Sequence, residues 1–129
     1  MRAMFLSLFV LFAFGFFYTT EAQVNRQVKV KINQQKTVAG RLSIKVVSIE
    51  DSRCPRGTQC VWAGNAKVRI RVKNANGAAQ VFDLNTNMQP ENVRFAGYRI
   101  SLTDVNPSPA NNIRINRNAY TATFSVTKL

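Results

Sequence analysis

Residues 67–73 read Lys-Val-Arg-Ile-Arg-Val-Lys, and Asn76-Gly77 follows shortly after. Apolar and basic side chains alternate along the first segment. Such alternation is typical of a β-strand with one face on a core and the other in water. Asn and Gly both tolerate positive φ, so Asn76-Gly77 favours a tight hairpin to the next apolar segment, residues 81–84. This stretch therefore predicts an antiparallel sheet with a basic solvent face.

The same period of two recurs along the chain, without a convincing helical period. It occurs at residues 28–32, 42–49, 98–102 and 120–126, with a weaker candidate at 113–115. Ala39-Gly40 and the proline-rich residues 106–109 separate these segments, because neither continues a strand easily. Six or seven short strands predict an all-β fold, a two-sheet antiparallel β-sandwich of immunoglobulin-like form. A small barrel is the alternative.

The N-terminal residues have the composition of a secretory signal peptide. Met1-Arg2 is followed by an apolar run from Ala3 to Tyr18, and polar residues begin at Thr19. Thr20 and Ala22 fit the small-residue positions of a cleavage site, which predicts a signal peptide over residues 1–22 and a single β-sandwich domain over 23–129. The alternative is an uncleaved membrane anchor, for which the run is short of the roughly 20 apolar residues required. We expect no transmembrane anchor after cleavage and a periplasmic or extracellular location.

The composition argues against an enzyme. The chain has 18 Lys and Arg against 6 Asp and Glu, and it has no histidine. This excludes catalysis by histidine and every metal site that needs histidine. Glu50 and Asp51 are adjacent and would point to opposite faces of a strand, whereas a glycosidase needs two carboxylates facing each other. We therefore predict no catalytic residues, no cofactor and no metal.

Cys54 and Cys60 enclose a short segment with turn-forming residues, Pro55 and Gly57. In an exported protein two lone cysteines most often pair with each other, so we predict a disulfide. Closing so short a loop stabilises a fold by roughly 2–2.5 kcal/mol in the chain-entropy model. The rival interpretation is a reactive dithiol, but the spacing is not the Cys-x-x-Cys that such sites favour.

The residues around this disulfide resemble a recurring pattern. Asp51-Ser52-Arg53-Cys54-Pro55, followed by Cys60 and Trp62-Ala63-Gly64, is similar to a block found in small secreted bacterial proteins to which no activity is assigned. The resemblance continues into residues 98–109 and ends in 120–126, so it covers most of residues 23–129. It implies an exported β-domain and brings no catalytic residues with it.

Two interpretations of the block follow from its residues. In the first it is a structural corner: Asp51 pairs with Arg53, Trp62 packs against the disulfide as in immunoglobulin cores, and Gly64 allows close backbone approach. In the second it is a binding loop, whose candidate contact residues are Asp51, Arg53, Arg56 and Trp62.

The basic strand is the other candidate surface. Lys67, Arg69, Arg71 and Lys73 would point to one side, spaced by about 6.6–6.8 Å. Lys29, Lys31, Arg41 and Lys45 would extend the surface if their strands are neighbours. Such a field attracts polyanions in a salt-dependent way, although a solvated face on a basic protein would look the same. Nucleic acid is a less favoured ligand, because exposed aromatics that stack on bases are missing from these strands.

The sequence thus predicts an exported, non-enzymatic binding or interaction module. Its candidate partners are an anionic glycan, lipopolysaccharide or another component of the envelope surface, contacted through the basic strand. The alternative is a structural accessory or an inhibitor of a secreted or envelope protein, acting through the disulfide loop, residues 51–64.

Overall fold

The computed structural model describes residues 15, 25–111 and 113–129, and within them the chain forms eight β-strands and no α-helix. The predicted signal peptide, residues 1–22, lies outside the described residues except for Gly15. No helix of the described part is long and apolar enough to cross a membrane. The strands are β1 (Asn25–Lys31), β2 (Gln35–Val38), β3 (Leu42–Asp51), β4 (Ala66–Lys73), β5 (Ala79–Asn85), β6 (Asn92–Phe95), β7 (Tyr98–Asn106) and β8 (Thr121–Lys128).

The strands form two four-stranded antiparallel sheets. The first sheet has the order β1-β8-β7-β6 and the second the order β2-β3-β4-β5. The chain leaves the first sheet after β1, runs through the whole second sheet as a meander, and returns for β6, β7 and β8. Strand β8 then pairs with β1, so the first sheet contains both ends of the described chain.

This architecture confirms the predicted two-sheet β-sandwich, and the described strands form no closed barrel. The strand order differs from that of immunoglobulin constant domains, in which the first, second, fourth and fifth strands share a sheet. Here the second to fifth strands share one sheet, so the likeness to immunoglobulin domains is limited to the sandwich.

Alternation along the strands places the core between the sheets. Along β4 the apolar residues Val68, Ile70 and Val72 are fully buried, whereas Arg69 and Arg71 between them are exposed. The inward side chains of both sheets form one hydrophobic cluster. Its largest fully buried members are Phe124, Leu42, Ile44, Ile70, Leu84 and Ile100. Both sheets and the entire described core thus lie within residues 25–129.

The predicted β4–β5 hairpin is confirmed. Gly77 adopts a φ of 86°, a region that only glycine enters at low cost. The Asn74 side chain accepts hydrogen bonds from the backbone N–H groups of Asn76 and Ala78, each at 3.0 Å. An Asn side chain that bonds the backbone two residues later is a common way to stabilise a turn.

Two strands were not predicted, and one prediction is wrong. Strands β2 and β6 are short edge strands that bury few side chains, so they lack a clear apolar alternation. Conversely, residues 113–115 do not form a strand. Ile113 makes only an isolated bridge to Ala110 and remains 66% exposed.

Candidate binding surfaces

The predicted disulfide loop, residues 51–64, corresponds in the structure to the β3–β4 connection, residues 52–65, at one end of the sandwich. We use the name disulfide loop for residues 52–65 from here on. Its base continues the pairing of the two strands: the Ser52 N–H donates to the Asn65 carbonyl at 2.8 Å, and the Cys54 N–H donates to the Ala63 carbonyl at 2.8 Å. Beyond these pairs the predicted Cys54–Cys60 disulfide is present, with the Cα atoms 5.9 Å apart. The loop is therefore closed twice, by the backbone and by a covalent bond.

Arg53 and Asp51 form an ion pair at the base of the loop. The guanidinium donates through Nε to Asp51 Oδ1 at 2.8 Å and through Nη2 to Oδ2 at 2.9 Å. Arg53 also donates through Nη1 to the Val105 carbonyl at 2.7 Å and through Nη2 to the Pro107 carbonyl at 2.9 Å. The side chains of Arg53 and Asp51 are only 13% and 6% exposed. This pair therefore links the end of β3 to the end of β7.

Tyr120, the residue directly before β8, completes this network. Its hydroxyl donates to Asp51 Oδ2 at 2.9 Å. Burial by itself raises the pKa of the Asp51 carboxyl, but the hydrogen bonds from Arg53 and Tyr120 outweigh it and hold that pKa below its usual value. Burial and the bond to Asp51 raise the pKa of Tyr120. The carboxylate and the neutral phenol are thus the forms that the fold stabilises.

Gly64 is required where the loop crosses its own base. It adopts a φ of 77°, and a Cβ atom there would lie 2.1 Å from the Ser52 carbonyl oxygen and 2.6 Å from Arg53 Cα. The backbone at Gly64 thus lies so close to the backbone of Ser52 and Arg53 that a residue with a Cβ atom would not fit there. The predicted close approach at Gly64 is confirmed.

Hydrogen-bonded asparagine side chains fix the part of the loop that leads into β4. Asn65 Nδ2 donates to Asn85 Oδ1 at 2.9 Å, and Asn65 Oδ1 accepts from the Asn87 N–H at 3.0 Å. Asn87 Nδ2 donates in turn to the Gly64 carbonyl at 2.7 Å. Asn65 and Asn85 are both buried, so these bonds satisfy amides that would otherwise be costly to desolvate. They connect the disulfide loop to the β5–β6 connection.

The opposite side of the loop pairs with the β7–β8 connection. The Arg56 N–H donates to the Pro109 carbonyl at 2.9 Å, and the Asn111 N–H donates to the Arg56 carbonyl at 3.0 Å. The disulfide loop is consequently fastened to both neighbouring connections at this end of the sandwich.

Val61 and Trp62, which we call the loop tip, project from this framework. Val61 is fully exposed and Trp62 is 57% exposed. The prediction that Trp62 packs as an immunoglobulin-type core aromatic is therefore wrong. Among the four predicted loop residues, Asp51 and Arg53 belong to the internal network, whereas Arg56 and Trp62 face solvent.

The basic strand is arranged as predicted, on the outer face of the second sheet. Its two halves differ, however, because carboxylates lie beside one half. Lys67 pairs with Glu50 of β3 at 3.1 Å, and Arg69 pairs with Asp83 of β5 through bonds of 2.9 and 3.2 Å. These two basic residues lie toward the disulfide loop.

The other half of the strand carries unpaired charge. Arg71 is flanked by Lys45 on β3 and Val81 on β5, and Lys73 by Ser43 and Ala79. We call Lys45, Arg71 and Lys73 the basic cluster. Within the described residues, no salt bridge involves any of these three side chains. The basic cluster lies at the end of the sandwich where the β4–β5 hairpin turns.

A cleft of about 580 Å³ adjoins the basic cluster at this end. Asn74, directly after Lys73, lines it together with Arg41, Tyr98 and Lys128, and no Asp or Glu side chain contributes. Arg41 therefore extends the basic surface as expected. Lys29 and Lys31 do not, because β1 belongs to the other sheet.

In the described ranges no three Cys, Asp or Glu side chains come together where they could hold a metal ion.

Comparison of the chain with protein-family models, with curated proteins and with solved structures found no match.

We predict that Asp51→Asn lowers the free energy of unfolding by about 2–3 kcal/mol near pH 7, because it leaves a poorly solvated guanidinium without its counter-charge. The pKa of Asp51 is lowered in the fold, so its contribution is complete above the unfolded carboxyl pKa of about 3.9 and is lost as the pH falls below that value. Urea unfolding from about pH 7 down to about pH 2.5 measures this. Asp83→Asn, at an exposed pair, is the control and should cost less than about 1 kcal/mol. If wild type and Asp51→Asn differ in free energy of unfolding by the same amount down to the lowest pH, the stabilising role assigned to the ionised Asp51 is wrong.

Two glycine substitutions distinguish the energetic cost of a steric contact from the cost of a positive φ. Gly40 and Gly64 both have positive φ, 69° and 77°, but a Cβ at Gly40 would meet nothing within 4 Å. Gly40→Ala should cost about 1–2 kcal/mol through conformation alone. Gly64→Ala should cost about 1–3 kcal/mol more, because the backbone around Ser52 must move. If thermal or urea unfolding shows that both variants lose the same free energy of unfolding, the close contact of Gly64 with Ser52 does not contribute to stability.

Proposed function

We propose that the protein is an exported, non-enzymatic binding module that docks on anionic glycan of an envelope surface through the basic cluster. The observation that carries the proposal is the unequal neutralisation of the basic strand. Lys67 and Arg69 are matched by carboxylates, whereas Lys45, Arg71 and Lys73 have none beside them.

The geometry of this end suits an extended polyanion. Lys45 and Arg71 are direct neighbours across β3 and β4, and Lys73 follows on the same face of β4. Repeats along one strand face are about 6.6–6.8 Å apart. A glycan chain lying on this face would continue into the cleft beside it, where Arg41 and Lys128 add two further cations. A net charge of +12 would speed the approach of such a ligand.

The exported location remains part of the proposal. It is supported by the apolar run and cleavage pattern of residues 1–22, and the Cys54–Cys60 disulfide is compatible with an oxidising compartment.

The test is retention of the protein on heparin and lipopolysaccharide supports across a salt gradient. We expect salt to elute the wild type, and the variant Lys45→Gln/Arg71→Gln/Lys73→Gln to elute much earlier. Removing three cationic contacts should lower the slope of log affinity against log salt by about 2–3.

A matched control removes the same charge from the other sheet. The variant Lys29→Gln/Lys31→Gln/Arg94→Gln changes three exposed residues and leaves the basic cluster intact. It should elute close to the wild type. If both variants elute together, retention reflects net charge alone, and the proposal of a glycan site on the basic cluster fails.

A further inference from the structure

The loop tip lies at the opposite end of the sandwich from the basic cluster. Apolar side chains that are exposed on a mobile loop can turn inward, but the tip has little freedom to do so. The Cys54–Cys60 disulfide, the Arg53 network and the pairing of Arg56 with the β7–β8 connection fix the segments around it. Val61 and Trp62 are therefore presented to solvent by a rigid support, an arrangement typical of contact residues.

The two chain segments next to the tip carry basic residues and no acidic ones. Asp51 and Asp104 lie at the strand ends beside these segments, where Asp51 is paired with Arg53. Residues 52–66 contain Arg53 and Arg56 and no Asp or Glu, and residues 105–120 contain Arg114 and Arg117 and no Asp or Glu. The two segments lie side by side, because Arg56 pairs with Pro109 and Asn111. Ile113, which is 66% exposed, and the exposed Arg114 beside it thus belong to the same end.

We propose that the loop tip inserts into the interface of an anionic lipid bilayer, with Arg56 and Arg114 contacting the headgroups. Tryptophan favours this interface, since its ring is apolar and its N–H is polar. Basic residues near the bilayer are attracted by anionic lipid.

A bilayer suits this surface better than a protein partner does. The tip is a projection of two apolar side chains with cations around it, and a bilayer accepts such a projection without a complementary pocket. A protein partner would need a pocket shaped for Trp62. The inference is independent of the glycan site, because it uses residues at the other end of the sandwich.

The experiment uses residues 23–129, which contain both sheets and the whole described core and lack the apolar N-terminal run that would itself bind lipid. Trp62 is the one tryptophan of the chain, so its fluorescence reports on the tip alone. The protein is titrated with vesicles of phosphatidylcholine containing phosphatidylglycerol, with pure phosphatidylcholine vesicles, and with soluble heparin. Brominated acyl chains test insertion, and co-sedimentation measures partitioning.

With phosphatidylglycerol vesicles we expect a blue shift of Trp62 emission and quenching by brominated lipid. Partitioning should be weaker on pure phosphatidylcholine, and heparin should produce no such blue shift. Trp62→Ser should weaken partitioning about tenfold, as expected for losing one large buried apolar side chain. Trp62→Phe should retain most of it. Val81→Ser, which removes a 53% exposed apolar residue elsewhere, should leave it unchanged.

Two results would overturn the proposal. If phosphatidylglycerol vesicles fail to bind the wild type, a bilayer is not the partner, and a protein becomes the occupant to seek. If vesicles bind but Trp62 neither shifts nor is quenched, and Trp62→Ser partitions like the wild type, attachment is electrostatic only. The variant Lys45→Gln/Arg71→Gln/Lys73→Gln separates the two proposals, since it should lose glycan retention and keep the Trp62 blue shift.

Discussion

The bidentate contact between Arg53 and Asp51 is the interaction on which the loop end of the molecule depends. A guanidinium that is largely withdrawn from water needs hydrogen-bond partners, and Asp51, Val105 and Pro107 accept four hydrogen bonds from it. The same carboxylate accepts from Tyr120. One ion pair therefore fixes the ends of β3 and β7 and the start of β8. Such a pair adds little net stability compared with apolar packing, but removing one partner is costly, so its main effect is to specify one arrangement.

The structure separates two kinds of surface. At the loop end, fixed connections expose Val61 and Trp62 among arginines. At the hairpin end, Lys45, Arg71 and Lys73 lie beside a cleft that contains further cations. Glu50 and Asp83 neutralise Lys67 and Arg69, in the half of the basic strand nearer the disulfide loop. Net charge alone would attract any polyanion, whereas this distribution gives each end its own chemistry.

Much of the fold followed from period-two alternation, because core-forming strands carry one apolar face. Edge strands β2 and β6 escaped prediction since they bury few side chains. The disulfide, the pairing of Asp51 with Arg53 and the close approach at Gly64 were predicted from local spacing. Tyr120 and the amides of Asn65, Asn85 and Asn87 were not, because their partners lie 20 to 69 residues away in the chain. The carboxylates beside Lys67 and Arg69 depend on strand register, which alternation does not determine. Local sequence likewise left Trp62 open between a core-type position and an exposed contact residue, and the structure shows it exposed.

The exposure of Val61 and Trp62 depends on residues 52–65 forming a rigid support for the loop tip. Backbone ¹⁵N relaxation of the folded protein measures this rigidity. We expect order parameters for Val61 and Trp62 of about 0.8 or higher, close to those of rigid backbone in β3 and β4. Values below about 0.6 across residues 56–62, with rigid strands on either side, would contradict it, since a mobile loop could fold its apolar side chains away from solvent.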